Sequence, residues 1–195
     1  MSYAQLHAVA QKQAIPVSLK ILFDTVTRIT GAEVQVRAVP TVSGSSRVRG
    51  AYLKPGDNSW LAGQFGGHPC ILIASGQSDP AKRFAQVKEL MHVFDDAYDH
   101  VGTADDFEVL LEQLTTPPAF DKIAPGVMSE HLAVYMALGL LCPEAKRQEF
   151  ARELNNGKIK VEEIADALQI PVSVVHILFG EHTSAIILHC VRHYC

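Results

Sequence analysis

The chain has 195 residues, 48% of them apolar and 19% charged, with a formal charge of −4 at pH 7. That is enough chain to bury one good-sized core, and a composition of this kind excludes a low-complexity or collagen-like protein. The longest late apolar run, Ala185 to Leu188, is far below the roughly 20 residues needed to span a bilayer, so neither a membrane nor export is expected.

The charge is unevenly spread. Residues 1–83 carry 9 Lys+Arg against 4 Asp+Glu, a balance of +5, while residues 84–195 carry 8 against 17, a balance of −9. A solvated acidic face explains this, and no nucleic-acid footprint stands out. The four cysteines, Cys70, Cys142, Cys190 and Cys195, are too far apart for a disulfide framework, so free thiols and a cytoplasmic location are expected.

In chain order, Tyr3 to Gln13 and Val17 to Ile29 carry apolar residues at helical spacing, with Pro16 suited to a helix start. From Gly31 the period changes. Glu33 to Arg37 alternates, Val48 to Leu53 alternates again, and Pro69 to Ala74 is a compact apolar strand, giving three strands, with Trp60 to Phe65 as a fourth candidate. Asp79-Pro80 then reads as an N-cap followed by proline at the first helical position. In the helix it opens, Phe84, Val87, Met91 and Phe94 form an apolar stripe, and Lys88 and His92 share a neighbouring face. Thr103 to Leu114 reads as another amphipathic helix. Gly126 to Leu141 is a strongly apolar one that carries Ser129-Glu130-His131 and ends at Cys142-Pro143. Proline opens the next helix, which closes near Asn155-Asn156-Gly157. The division expected is a single α+β domain: 1–30 opening helices, 31–155 sheet and motif helices, 156–195 a C-terminal helical module.

Lys88-Glu89-Leu90-Met91-His92 is one residue short of H-E-x-x-H, in which two histidines on one helix face bind zinc and the glutamate activates a metal-bound water. By itself the pattern carries little weight, because an exposed acid and base on an amphipathic helix would look the same. Its surroundings carry more. Arg83-Phe84 precedes it, and a later helix holds Glu130, Ala137, Leu140-Leu141 and Pro143. In order and spacing this resembles the ImmA/IrrE-type metallopeptidases, with their R-F-x-x-x-H-E-x-x-H and a following helix of the form E-x-x-x-x-x-F-A-x-x-L-L-M-P, over about residues 31–179. The resemblance implies a zincin-like fold, His92 and Glu130 as metal ligands, and Glu89 as the base of an active enzyme. The chain departs from that pattern at Lys88, in the place of the first histidine, and at Met91, where glycine is common.

The consequence of Lys88 follows from its chemistry. An ammonium has no lone pair to give a metal, and keeping an amine neutral at pH 7 costs about 4 to 5 kcal/mol from an ordinary pKa near 10.4. The simpler outcome is that Lys88 lies between Glu89 and Glu130, with His92 nearby, as a site cation in place of a metal. No cofactor is then expected. Zinc returns only if His92 and Glu130 recruit an unusual third ligand.

Other donors are weaker. His131 is the obvious substitute ligand but directly follows Glu130 and diverges from it by about 100° around the helix; Asp95, Asp96 and Asp99 extend the acidic face beyond His92, with Asp96 at i+4, and read as a solvated helix end more than as groups that orient a ligand. His189-Cys190-Val191-Arg192-His193-Tyr194-Cys195 has four donors but no C-x-x-C, and reads as a frayed tail. Lys160 to His176 resembles a helix-turn-helix, yet Val172, Ser173, His176 and Ile177 offer almost nothing that reads bases, so a packing module is expected. The function expected is that of an inactive relative of these peptidases that binds a protein or peptide, with a helix-turn-helix repressor as the partner the resemblance suggests. The alternatives are an active zinc endopeptidase and a DNA-binding regulator working through residues 158–179.

Overall fold

A computed structural model describes residues 2–40, 50–55, 67–95 and 125–194, with side chains in the last stretch from Met128 onward. Thr103 to Leu114, Trp60 to Phe65, Asp96 and Cys195 lie outside the described residues.

Helix α1 (Tyr3–Ala10) buries Tyr3, Leu6 and Ala10, one stripe at i, i+3 and i+7. Helix α2 (Leu19–Thr30) ends on Gly31 at φ 72°, a left-handed cap whose N–H reaches Thr27 O at 2.8 Å. Pro16 does not start this helix, contrary to expectation. Ser18 occupies the N-cap in extended conformation, so proline falls in the turn before it.

The sheet has strands β1 (Gln35–Val39), β2 (Gly50–Leu53) and β3 (Cys70–Ala74) in the order β1-β3-β2. β1 runs parallel to β3 with Gln35 opposite Cys70, and β2 runs antiparallel to it with Gly50 opposite Ile73. Every residue of β3 is buried, as its unbroken Cys-Ile-Leu-Ile-Ala run requires of a central strand covered on both faces.

Helix α3 (Asp79–Met91) packs on β3, β2 and the long helix α4 (Pro125–Leu141). The cap of α3 is Ser78, in extended conformation, which moves Asp79-Pro80 one position further into the helix than the sequence suggested. α3 passes directly into a 3-10 turn, His92–Phe94, so His92 lies at its C-cap. From Ala133 to Leu141, α4 buries residues all around its circumference, as expected of a helix inside a core. Helices α5 (Glu144–Asn155), α6 (Val161–Leu168), α7 (Val172–Leu178) and α8 (Thr183–His193) complete an α+β fold of eight helices and one mixed sheet among the described residues. No single described helix is long and apolar enough to cross a membrane.

The C-terminal segment is not a frayed tail. Thr183, Ile187 and Cys190 repeat at i, i+4 and i+7 and are buried as α8 packs on α4 and α1. Gly139 permits that approach: a Cβ there would lie 2.9 Å from Ile187 Cγ2 and 2.9 Å from the Tyr3 hydroxyl oxygen. That hydroxyl donates to Met136 O at 2.9 Å, and the Tyr3 N–H donates to Tyr194 O at 2.8 Å, which ties the two ends of the described chain together. Cys70, Cys142 and Cys190 are free buried thiols.

Candidate functional site

Three elements meet at the K-E-x-x-H motif. The end of α3 supplies Lys88, Glu89 and His92, the first turns of α4 supply Ser129 and Glu130, and β2 supplies Gly50 and Tyr52. Lys88, Glu89, His92 and Ser129 are all buried, the most exposed at 7%. The simplest view of the motif, an exposed acid and base, is therefore wrong. The same turn of α3 that carries the motif is covered by β2 and α4.

Lys88 Nζ donates to Glu89 Oε1 at 2.9 Å and also bonds Glu130 Oε2. His92 bridges the same acid to another: its Nε2 is 3.2 Å from Glu130 Oε1, and its Nδ1 is 2.6 Å from Asp95 Oδ2. Ser129 Oγ donates to that Asp95 oxygen at 2.6 Å, and Glu89 Oε2 lies 3.8 Å from His92 Nε2. The result is an alternating chain of acid, cation, acid, cation, acid running from Glu89 through Lys88, Glu130 and His92 to Asp95.

The titration behaviour follows from this geometry. Burial by itself would lower the pKa of Lys88, but the Glu89 and Glu130 carboxylates outweigh it and the pKa is raised, keeping the ammonium. Burial also works against charge on His92, yet Asp95, bonded at Nδ1, and the Glu130 carboxylate paired with Nε2 lift it to about 9, which favours the imidazolium. Glu130, against the cost of burial, is held at about 2, first by the His92 bond and then by Lys88. Tyr52 stacks beside His92, with ring centroids 6.5 Å apart and planes at 29°, and burial followed by Asp95 pushes its phenol up to about 12.

Gly50 is a further part of the site. A Cβ there would lie 2.9 Å from Glu89 Cγ and 3.1 Å from Glu89 Oε1, so β2 can cover the motif glutamate only because this residue has no side chain.

The sequence-derived candidates divide clearly. Lys88, Glu89, His92 and Glu130 are brought together. His131 is buried beside Glu130, with burial lowering its pKa, and its Nε2 has no hydrogen-bond partner among the described residues. Asp96 lies outside the described residues, and the acid that orients His92 is Asp95, at i+3 rather than i+4. The helix gives way to the tighter 3-10 turn at His92, which moves the next acidic position back by one. Sequence reading placed Asp95 on a solvated acidic helix end, whereas it grips His92, and it gave no role to Ser129, Tyr52 and Gly50. The i+3 spacing of Asp95 was the available signal for the first, whereas the others come from distant segments.

These residues do not fit a zinc ion. Lys88 as ammonium has no lone pair to offer, and it already engages the carboxylates of Glu89 and Glu130. Among the described residues, no group of three or more His, Cys, Asp or Glu side chains is arranged to hold a metal. No protein-family model, no curated protein and no solved structure matches the chain.

Proposed function

We propose that this chain is a catalytically silent relative of the ImmA/IrrE-type metallopeptidases, with a zincin-like arrangement of strand, motif helix and acid-bearing helix, that acts by binding a polypeptide rather than cutting one. The observation that carries the proposal is the Lys88 ammonium, bonded to Glu89 on one side and Glu130 on the other. An ion pair of this kind takes over the charge balance a metal would supply, and it leaves nothing to polarise a carbonyl or activate water. Further support comes from order along the chain. β3 leads into the motif helix α3, and the helix with Glu130 ends in Leu140-Leu141-Cys142-Pro143. Among the described residues β2 lies at an edge of the sheet beside the site, the position at which an extended segment of a partner would add. The partner this reading favours is a helix-turn-helix repressor, held in the cytoplasm without cleavage.

The test is metal content together with product mass. Protein purified without chelators or affinity-tag metals should carry no stoichiometric zinc at this cluster, and Lys88→His should gain zinc affinity there. A bound repressor should keep its intact mass on prolonged incubation with the unaltered chain. A transition metal coordinated by His92 and Glu130 in the unaltered protein would overturn the proposal.

A further inference from the structure

Helix α8 carries a second set of donors, separate from the buried cluster. Its inner face is occupied by Thr183, Ile187 and Cys190, which leaves His189 and His193 exposed on the outer face. The two residues are four apart and therefore stand one above the other on adjacent turns. Their rings already lie together, with centroids 4.1 Å apart and planes at 36°.

We propose that His189 and His193 form a two-imidazole chelate for a divalent transition ion of the copper, nickel and zinc group, with water filling the remaining positions. Three features support this. First, imidazole is the side chain these ions favour, and an exposed ring can turn its nitrogen lone pair toward solvent. Second, α8 is held in place by burial of its other face against α1 and α4, so the backbone that spaces the two rings is ordered before any ion arrives. Orientation that is already fixed makes the second bond an intramolecular event, which raises affinity well above that of one surface histidine. Third, the pair contains no ammonium, in contrast to the motif cluster, where Lys88 lies between the acids. With only two protein donors the site is open. It should prefer copper over nickel and zinc by the usual order of divalent affinities, and should ignore magnesium and calcium, which seek oxygen.

The experiment titrates nickel(II) and zinc(II) into the full chain and into His189→Gln, His193→Gln and the double variant, by calorimetry and by the histidine ring signals in NMR spectra. One ion per chain is expected, with both ring signals shifting together. Each single variant should lose about tenfold or more in affinity, nearly as much as the double, because removing either arm destroys the chelate. The ion should also raise the thermal midpoint of the unaltered chain and leave that of the double variant unchanged. Losses of only about twofold in each single variant would mean two independent histidines and would overturn the proposal. So would undiminished binding in the double variant. Such residual binding, if abolished by His92→Gln, would place the ion in the buried cluster and count against the metal-free reading as well, so the two failures can be told apart.

Discussion

The cluster around Lys88 and the α6–α7 pair both carry charged residues on helices next to a well-filled core, but they use them in opposite ways. At the cluster, Lys88, Glu89 and His92 are buried and every charge faces an opposite one. On α6 and α7, Ile164, Ala165, Leu168, Val174, Val175 and Leu178 fill the interior, while Glu162, Glu163, Asp166, Ser173 and His176 are exposed. An exposed charge costs little to keep and little to lose. A buried charge is retained only with its partner, and removing either one leaves the other stranded. The contrast marks the cluster as the part of the molecule where charge is organised, and α6–α7 as the part where helices pack.

The strongest way to break this contrast is Lys88→Met, which leaves Glu89 and Glu130 facing each other without a cation. We expect a loss of about 3 to 5 kcal/mol in denaturant unfolding, and a partial recovery when Glu130→Gln is added. If Lys88→Met is as stable as the parent, the ion cluster does not hold this region together.

The dependence of stability on pH comes next. The folded pKa of His92, about 9, lies above its ordinary value of 6.5, so its contribution is complete below pH 6.5 and is lost as pH rises through about 9. The folded pKa of Glu130, about 2, lies below its ordinary 4.5, so its contribution is present above pH 4.5 and is lost as pH falls through about 2. Stability should therefore be greatest between about pH 4.5 and 6.5 and decline by a few kcal/mol on either side, as followed by urea unfolding at each pH. His92→Gln should flatten the alkaline decline and weaken the acid one as well, because the His92 bond is the first of the interactions that hold Glu130 low.

Gly50→Ala sharpens the contrast at smaller scale. The added methyl runs into Glu89 Cγ, and we expect a cost of about 1 to 3 kcal/mol, with the largest amide-shift changes on β2 and the end of α3. The smallest effect belongs to the other region. Lys158→Ala with Lys160→Ala should change stability by no more than about 0.5 kcal/mol and reveal no salt-dependent duplex binding; a steep salt slope lost in this variant would make α6–α7 a nucleic-acid surface after all.

Much of the site could be read from spacing. Lys88, Glu89 and His92 lie on consecutive turns of one helix, and local periodicity determines where they point relative to one another. Glu130 was reachable only through a resemblance in element order, since nothing local relates residue 130 to residue 88. Asp95 was displaced by the change from α-helix to 3-10 turn at His92, a local event that periodicity does not announce. Gly50 and Tyr52 were out of reach because their roles depend on which strand ends up over α3. The α8 helix was mistaken for a tail for a related reason. The heptad-like recurrence of Thr183, Ile187 and Cys190 was visible, but the partners that make it pack, Tyr3 and Gly139, lie far away in the chain.

What the amino-acid sequence determined by itself was the set of elements and the identity of the charged groups: where the period was two or near 3.6, strands and helices formed, and Lys88, Glu89 and His92 fell together on one stretch of helix. What only the tertiary structure decided was that these groups are buried together, which strand covers them, and which acid grips His92. The physical reason is that helical and strand periods act between near neighbours, whereas the pKa of Lys88, His92 and Glu130 depends on low-dielectric contact between α3 and α4, two helices separated by more than thirty residues of chain.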